Sequence, residues 1–146
     1  MGLLRTLAVL GLIVGAWGVG TCDRAHAPAQ PTPPLTGTWG GDNAGLIATD
    51  SSAHVHIGCT AGDAAGPLQA GTDGRFDVAG RYNITLYPVA RGPDHPARFS
   101  GQIAGSVMTL TVTLTDTAVT LGPVQLTLGK EPRMGPCPIC RRPATK

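Results

Sequence analysis

The stretch Val107 to Thr117 alternates strictly. Met108, Leu110, Val112 and Leu114 stand between Thr109, Thr111, Thr113 and Thr115. A period of two, with one apolar face, one hydroxyl face and many β-branched residues, is the pattern of a half-buried strand. Threonine at every second place would interrupt any helical stripe. The same rule predicts six more strands. In Gly74 to Leu86, Phe76, Val78, Tyr82, Ile84 and Leu86 share a face, with Gly80 at a bend. Ala53 to Cys59 turns Val55, Ile57 and Cys59 inward, and Ala97 to Gly105 offers Phe99 and Ile103. Thr36 to Gly41 and Ala44 to Asp50 make two shorter runs. In Val119 to Leu128 the apolar parity changes between Leu121 and Val124, so Gly122-Pro123 marks a bulge or a tight turn.

No segment reads as an amphipathic helix. Seven or eight short strands joined by turn residues predict an all-β domain, an antiparallel meander closed as a small barrel to remove its edges. One connection is long. Tyr87 to Arg98 carries Pro88, Pro93 and Pro96 and is the candidate interaction loop, with Arg91, Asp94, His95 and Arg98 as its polar residues.

Both ends of the chain lie outside this pattern. Residues 1–21 combine Arg5 with an apolar run from Leu7 to Val19, too short and too soon followed by polar sequence for a stable span, and read as an export signal. Val19-Gly20-Thr21-Cys22 is similar to a lipobox, which would place a lipid on Cys22. The competing cut lies after Ala25-His26-Ala27, ahead of Pro28, and would give a secreted protein. Residues 22–34 are a Pro-rich tether, 35–130 the barrel domain, and 131–146 a basic tail with Cys and Pro. The expected location is the cell envelope, lipid-anchored and extracytoplasmic, with the membrane as a partner through the N-terminal lipid.

Charge excludes more than it assigns. Between Leu35 and Lys130, Arg75, Arg81, Arg91, Arg98 and Lys130 face seven aspartates, and no basic stripe with interleaved aromatics supports nucleic-acid binding. Thiols in an oxidising compartment pair where geometry permits. With Cys22 committed to lipid, Cys59, Cys137 and Cys140 remain, and three pairings or a metal site stay open. His54 and His56 share a strand face and with Cys137 and Cys140 could make a zinc set. That would need the tail to fold over their strand, and the expectation is two exposed histidines and no metal or cofactor. Cys137 and Cys140 form a C-x-x-C flanked by Pro136, Pro138 and Pro143, which oppose the helix that a redox pair of this kind opens. No G-x-S-x-G occurs, Glu131 is the single glutamate, and Asp42, Asp50, Asp63, Asp73 and Asp94 read as turn residues. Asp94 with His95 is the nearest to an acid–base pair. Without a nucleophile beside it, no catalytic set is recognisable, and Asn83-Ile84-Thr85 is a chance glycosylation match.

The segments Trp39 to Asp50, Asp73 to Gly80, His95 to Gly105, Met108 to Thr117 and Gly122 to Gly129, with a cysteine after the third strand and one after Arg133, resemble a family of small exported bacterial proteins of uncharacterised function. The resemblance implies a Cys59–Cys137 disulfide and leaves Cys140 as a spare thiol. Gly37-Thr38-Trp39 is similar to the opening of calycin barrels, in which Trp39 would plug the closed end. The expected function is a non-enzymatic envelope lipoprotein that presents loops to a protein partner, as small barrel inhibitors present a loop or tail to an enzyme cleft. The alternative is a small-ligand carrier with a cavity inside the barrel, for which aromatic content of 4% is low.

Overall fold

A computed structural model describes residues 33–86 and 91–137. The export signal, Cys22, most of the tether, the centre of the long connection, Cys140 and the residues behind it lie outside the described residues. Eight strands follow in order: β1 (Gly37–Gly41), β2 (Ala44–Ala48), β3 (Ala53–Ile57), β4 (Thr60–Ala64), β5 (Arg75–Asn83), β6 (His95–Ala104), β7 (Val107–Leu114) and β8 (Thr120–Leu128). Each pairs antiparallel with the next, and β8 returns to β1 to close the barrel. The fold is the all-β meander barrel that the alternation predicts.

Inward residues follow the period of two. Met108, Leu110, Val112 and Leu114 are buried along β7, as are Phe76 and Tyr82 on β5, Phe99 on β6, Leu126 on β8 and Leu46 on β2. An eight-stranded barrel is just wide enough for side chains to fill its interior, and here these side chains form one buried cluster. Leu68, in the connection after β4, is fully buried with them, and its carbonyl accepts a 2.8 Å hydrogen bond from Leu35 N–H. Trp39 lies in this core at the middle of β1, with its indole N–H buried and without a partner among the described residues. The parity change in β8 is a bulge: Val112 faces Leu121 while Leu110 faces Val124, so two residues of β8 span one of β7.

Four expectations need correction. Residues Thr60 to Ala64 form β4, which has no large apolar residue to announce it and is a strand because β3 and β5 pair with it on both sides. The strand predicted to run to Leu86 stops at Asn83, and Leu86 is exposed. Strand β6 begins at His95, inside the expected loop, so His95 and Arg98 are strand residues. Cys59 does not face the core; it sits half-buried in the turn between β3 and β4.

The start of the tail, expected only as a basic segment with Cys and Pro, is seated on the barrel. Residues 130–137 cross the outer face of β1 and β2 as a strap. Gly40 and Gly45 are register partners on that face, and the strap occupies the space their side chains would fill. A Cβ on Gly40 would stand 2.2 Å from Lys130 O, and one on Gly45 2.6 Å from Pro132 Cγ. Glycine is what lets the backbone approach so closely. Arg133 N–H donates to Gly41 O at 3.0 Å, and Arg133 O accepts from Asn43 N–H at 2.8 Å. The strap ends in the Cys59–Cys137 disulfide, with Cα atoms 5.4 Å apart across 78 positions of sequence.

Candidate functional site

One end of the barrel gathers the pieces of the site. The β1–β2 turn holds Asn43 with φ 56°, a left-handed conformation that asparagine tolerates better than most residues. Asn43 O accepts from Gly58 N–H at 2.7 Å, and its side-chain Oδ1 accepts from Gly135 N–H at 3.2 Å. Asn43 therefore joins the β1–β2 turn, the β3–β4 turn and the strap. Arg133 pairs with Asp42 beside it. Such an exposed ion pair adds little stability, so the backbone bonds and the disulfide hold the strap.

Across the barrel wall, the long connection is pinned by Asn83, which is only 6% exposed. Its amide nitrogen donates to Gly92 O at 2.8 Å and to Asp94 Oδ1 at 2.9 Å, while Asn83 Oδ1 accepts from Thr85 N–H at 2.9 Å. Thr85 Oγ1 accepts from Gly92 N–H at 2.9 Å. Arg91 adds a 3.0 Å bond to Asp94. The hydrogen bond from Asn83, and then Arg91, hold the Asp94 carboxyl below its ordinary pKa. Both polar atoms of the Asn83 amide are engaged.

Between strap and loop lies a cleft of about 340 Å3 on the outside of β3 and β4. His54, His56, Ala61 and Asp63 form its floor, Asn83, Thr85 and Arg91 one wall, and Met134, Cys137 and Cys59 the other. A second groove of about 170 Å3 continues past Met134 towards Ile47 and Pro132 and shares both histidines. The floor follows from register: His54 pairs with Asp63 and His56 with Ala61, all on the outer face. His54 Nδ1 lies 2.6 Å from Asp63 Oδ1, and His54 Nε2 lies 2.9 Å from His56 Nε2. The rings meet edge to face with centroids 4.7 Å apart. Burial in the cleft, reinforced by His54, holds His56 below its ordinary pKa, while Asp63 pulls the other way.

The candidate loop residues separate. Arg91 and Asp94 stay together at the cleft wall, whereas His95, on the face of β6 that carries Ala97 and Phe99, pairs with Asp116 at 2.9 Å, and Arg98 pairs with Asp77 at 2.8 Å on the outer face of β6. The four do not form one surface. His54 and His56 are exposed as expected, but they converge rather than stand alone, and Asp63 is a strand residue opposite His54 instead of a turn residue. The strap does fold over towards their strand, which nothing in the sequence demanded. Among the described residues no group of three or more His, Cys, Asp or Glu side chains is placed to hold a metal.

No family model, curated protein or solved structure matches the chain.

Proposed function

We propose that this chain is an exported, lipid-anchored and non-enzymatic binding module that engages a protein partner through the outer cleft. The observation that carries the reading is where the cleft lies. It stands outside a filled barrel, between two walls that hydrogen bonds and a disulfide hold in place, which is the preorganisation that limits the cost of binding. Exposed apolar residues border it: Met134 lines its rim, Ile47 lines the groove that continues past Met134, and Leu86 follows Thr85. An apolar centre with a few fixed polar groups suits a loop or chain end of a partner. The cysteines fit an oxidising compartment, and the Cys22 motif with the tether behind it suits display from a membrane.

The carrier alternative draws no support from an interior occupied by Tyr82, Phe99, Leu110 and Leu126. Cys22→Ala tests the anchor. The parent protein is expected in the membrane fraction, and the variant in the soluble or secreted fraction. Mature parent protein found in the medium with its N terminus at Pro28 would favour ordinary secretion.

A further inference from the structure

The two histidine rings on the cleft floor aim the same kind of atom at each other. Two nitrogens bound to one metal at about 2.0 Å stand roughly 2.8 Å apart at a right angle and roughly 3.3 Å apart at a tetrahedral angle. The Nε2 atoms of His54 and His56 are 2.9 Å apart, close to the right-angle value. Square-planar or tetragonal nitrogen sites are those of Cu(II) and Ni(II), and copper binds such donors most strongly among divalent first-row metals.

Asp63 supplies the second feature. An ionised carboxylate only accepts hydrogen bonds, so at 2.6 Å from Asp63 Oδ1 the Nδ1 atom of His54 carries the proton. In the neutral ring the lone pair then sits on Nε2, where it accepts from His56 Nε2–H; a metal ion bound to both Nε2 atoms would take the place of that hydrogen bond, with the His56 proton passing to Nδ1 or to solvent. A carboxylate holding the far nitrogen of an imidazole is the usual support of a metal-binding histidine. A third feature comes from the strap. Met134 lines both grooves with the two histidines, and a thioether favours copper over harder ions.

We propose that His54 and His56 bind a copper ion through their Nε2 atoms on the floor of the outer cleft. Asp63 orients His54, Met134 is the soft donor on the strap side, and the remaining positions open into the cleft. The site needs no protein partner, so its failure and the failure of the partner reading are separate results.

The test is titration of the untagged full chain with Cu2+ alone, read by calorimetry and by electron paramagnetic resonance. One equivalent should bind, with hyperfine structure from two nitrogens. His54→Ala combined with His56→Ala should lose that equivalent, and His95→Ala should keep it. Asp63→Asn should weaken binding on the order of 10–100-fold. Equal copper binding by the parent and the double variant would overturn the proposal, as would a parent signal with fewer than two nitrogens. The signal of the parent and the Asp63→Asn shift decide the matter even if the double variant does not fold. A hydrogen-bonded histidine pair with no affinity for copper is the outcome that ends it.

Discussion

The two halves of the barrel are made of different material. Strands β5 to β8 run for eight to ten residues and carry Phe76, Tyr82, Phe99, Met108, Leu110, Val112, Leu114 and Leu126 inward. Strands β1 to β4 have five residues each, and much of what they bury is small: Ala44, Ala48, Ala53 and Ala64, with Trp39, Leu46 and Val55. The long half holds itself through apolar burial. The short half buries less and is held from outside, by the strap over Gly40 and Gly45, by Asn43 and by the Cys59–Cys137 bond. It is also the half that carries the cleft. A site on thin, externally braced strands can be altered without touching the core, and the core can be weakened without changing the site.

The largest effects should come from the long half. Leu110→Ala is expected to cost about 2–5 kcal/mol, whereas Thr111→Ala, one residue away on the outer face, should cost about 0.5 kcal/mol or less. Denaturant midpoints measure both, and equal losses would mean that the inward face is misassigned. Next is the brace. Replacing Cys59 and Cys137 together by serine should cost about 2–5 kcal/mol, and hydrogen exchange should quicken first at Asn43, Gly58 and Gly135, whose N–H groups tie strap and turns. Peptide mapping without reduction should recover Cys59 joined to Cys137.

Smaller effects probe the contact of strap and sheet. Gly45→Ala sets a methyl group against Pro132 and should cost about 1–3 kcal/mol by overpacking. Gly66→Ala, where nothing stands within 4 Å of the new carbon, should be nearly neutral in thermal unfolding. If the two glycines respond alike, the strap is not seated as described. Asn83→Ala should cost about 1–3 kcal/mol, because it leaves Gly92 O and the Thr85 N–H short of a partner, and proteolysis between Thr85 and Arg91 should accelerate.

The long half was legible in the sequence except where β5 ends and β6 begins, because the apolar alternation runs on to Leu86 and the prolines around His95 read as loop. Threonine alternating with Leu, Val and Met along β7 admits one face and one strand register, and the parity change at Gly122-Pro123 located the bulge. The short half was legible where it has large residues, at Trp39, Leu46 and Val55. It was silent at Thr60 to Ala64, where Thr-Ala-Gly-Asp-Ala carries no apolar alternation and the neighbours decide. Missing β4 hid Asp63 from His54, and with it the cleft floor. The strap was hidden for a different reason. Its contacts are backbone bonds and glycine clearances between positions about ninety apart, and no local pattern encodes those. One signal was present: Gly40 and Gly45, outward-facing glycines in predicted neighbouring strands, leave a bare track on the sheet that something else must cover.

The central claim is that recognition happens at the outer cleft of the short half and not inside the barrel. A photoreactive side chain at Ala61, on the cleft floor, tests it against one at Thr111, on the outer face of β7 across the barrel. Both proteins would be expressed in the native envelope, irradiated and resolved by size. The account predicts a discrete adduct from Ala61, lost when Arg91→Ala is added, and none from Thr111. Equal adducts from both positions, or an adduct from Thr111 alone, would contradict it.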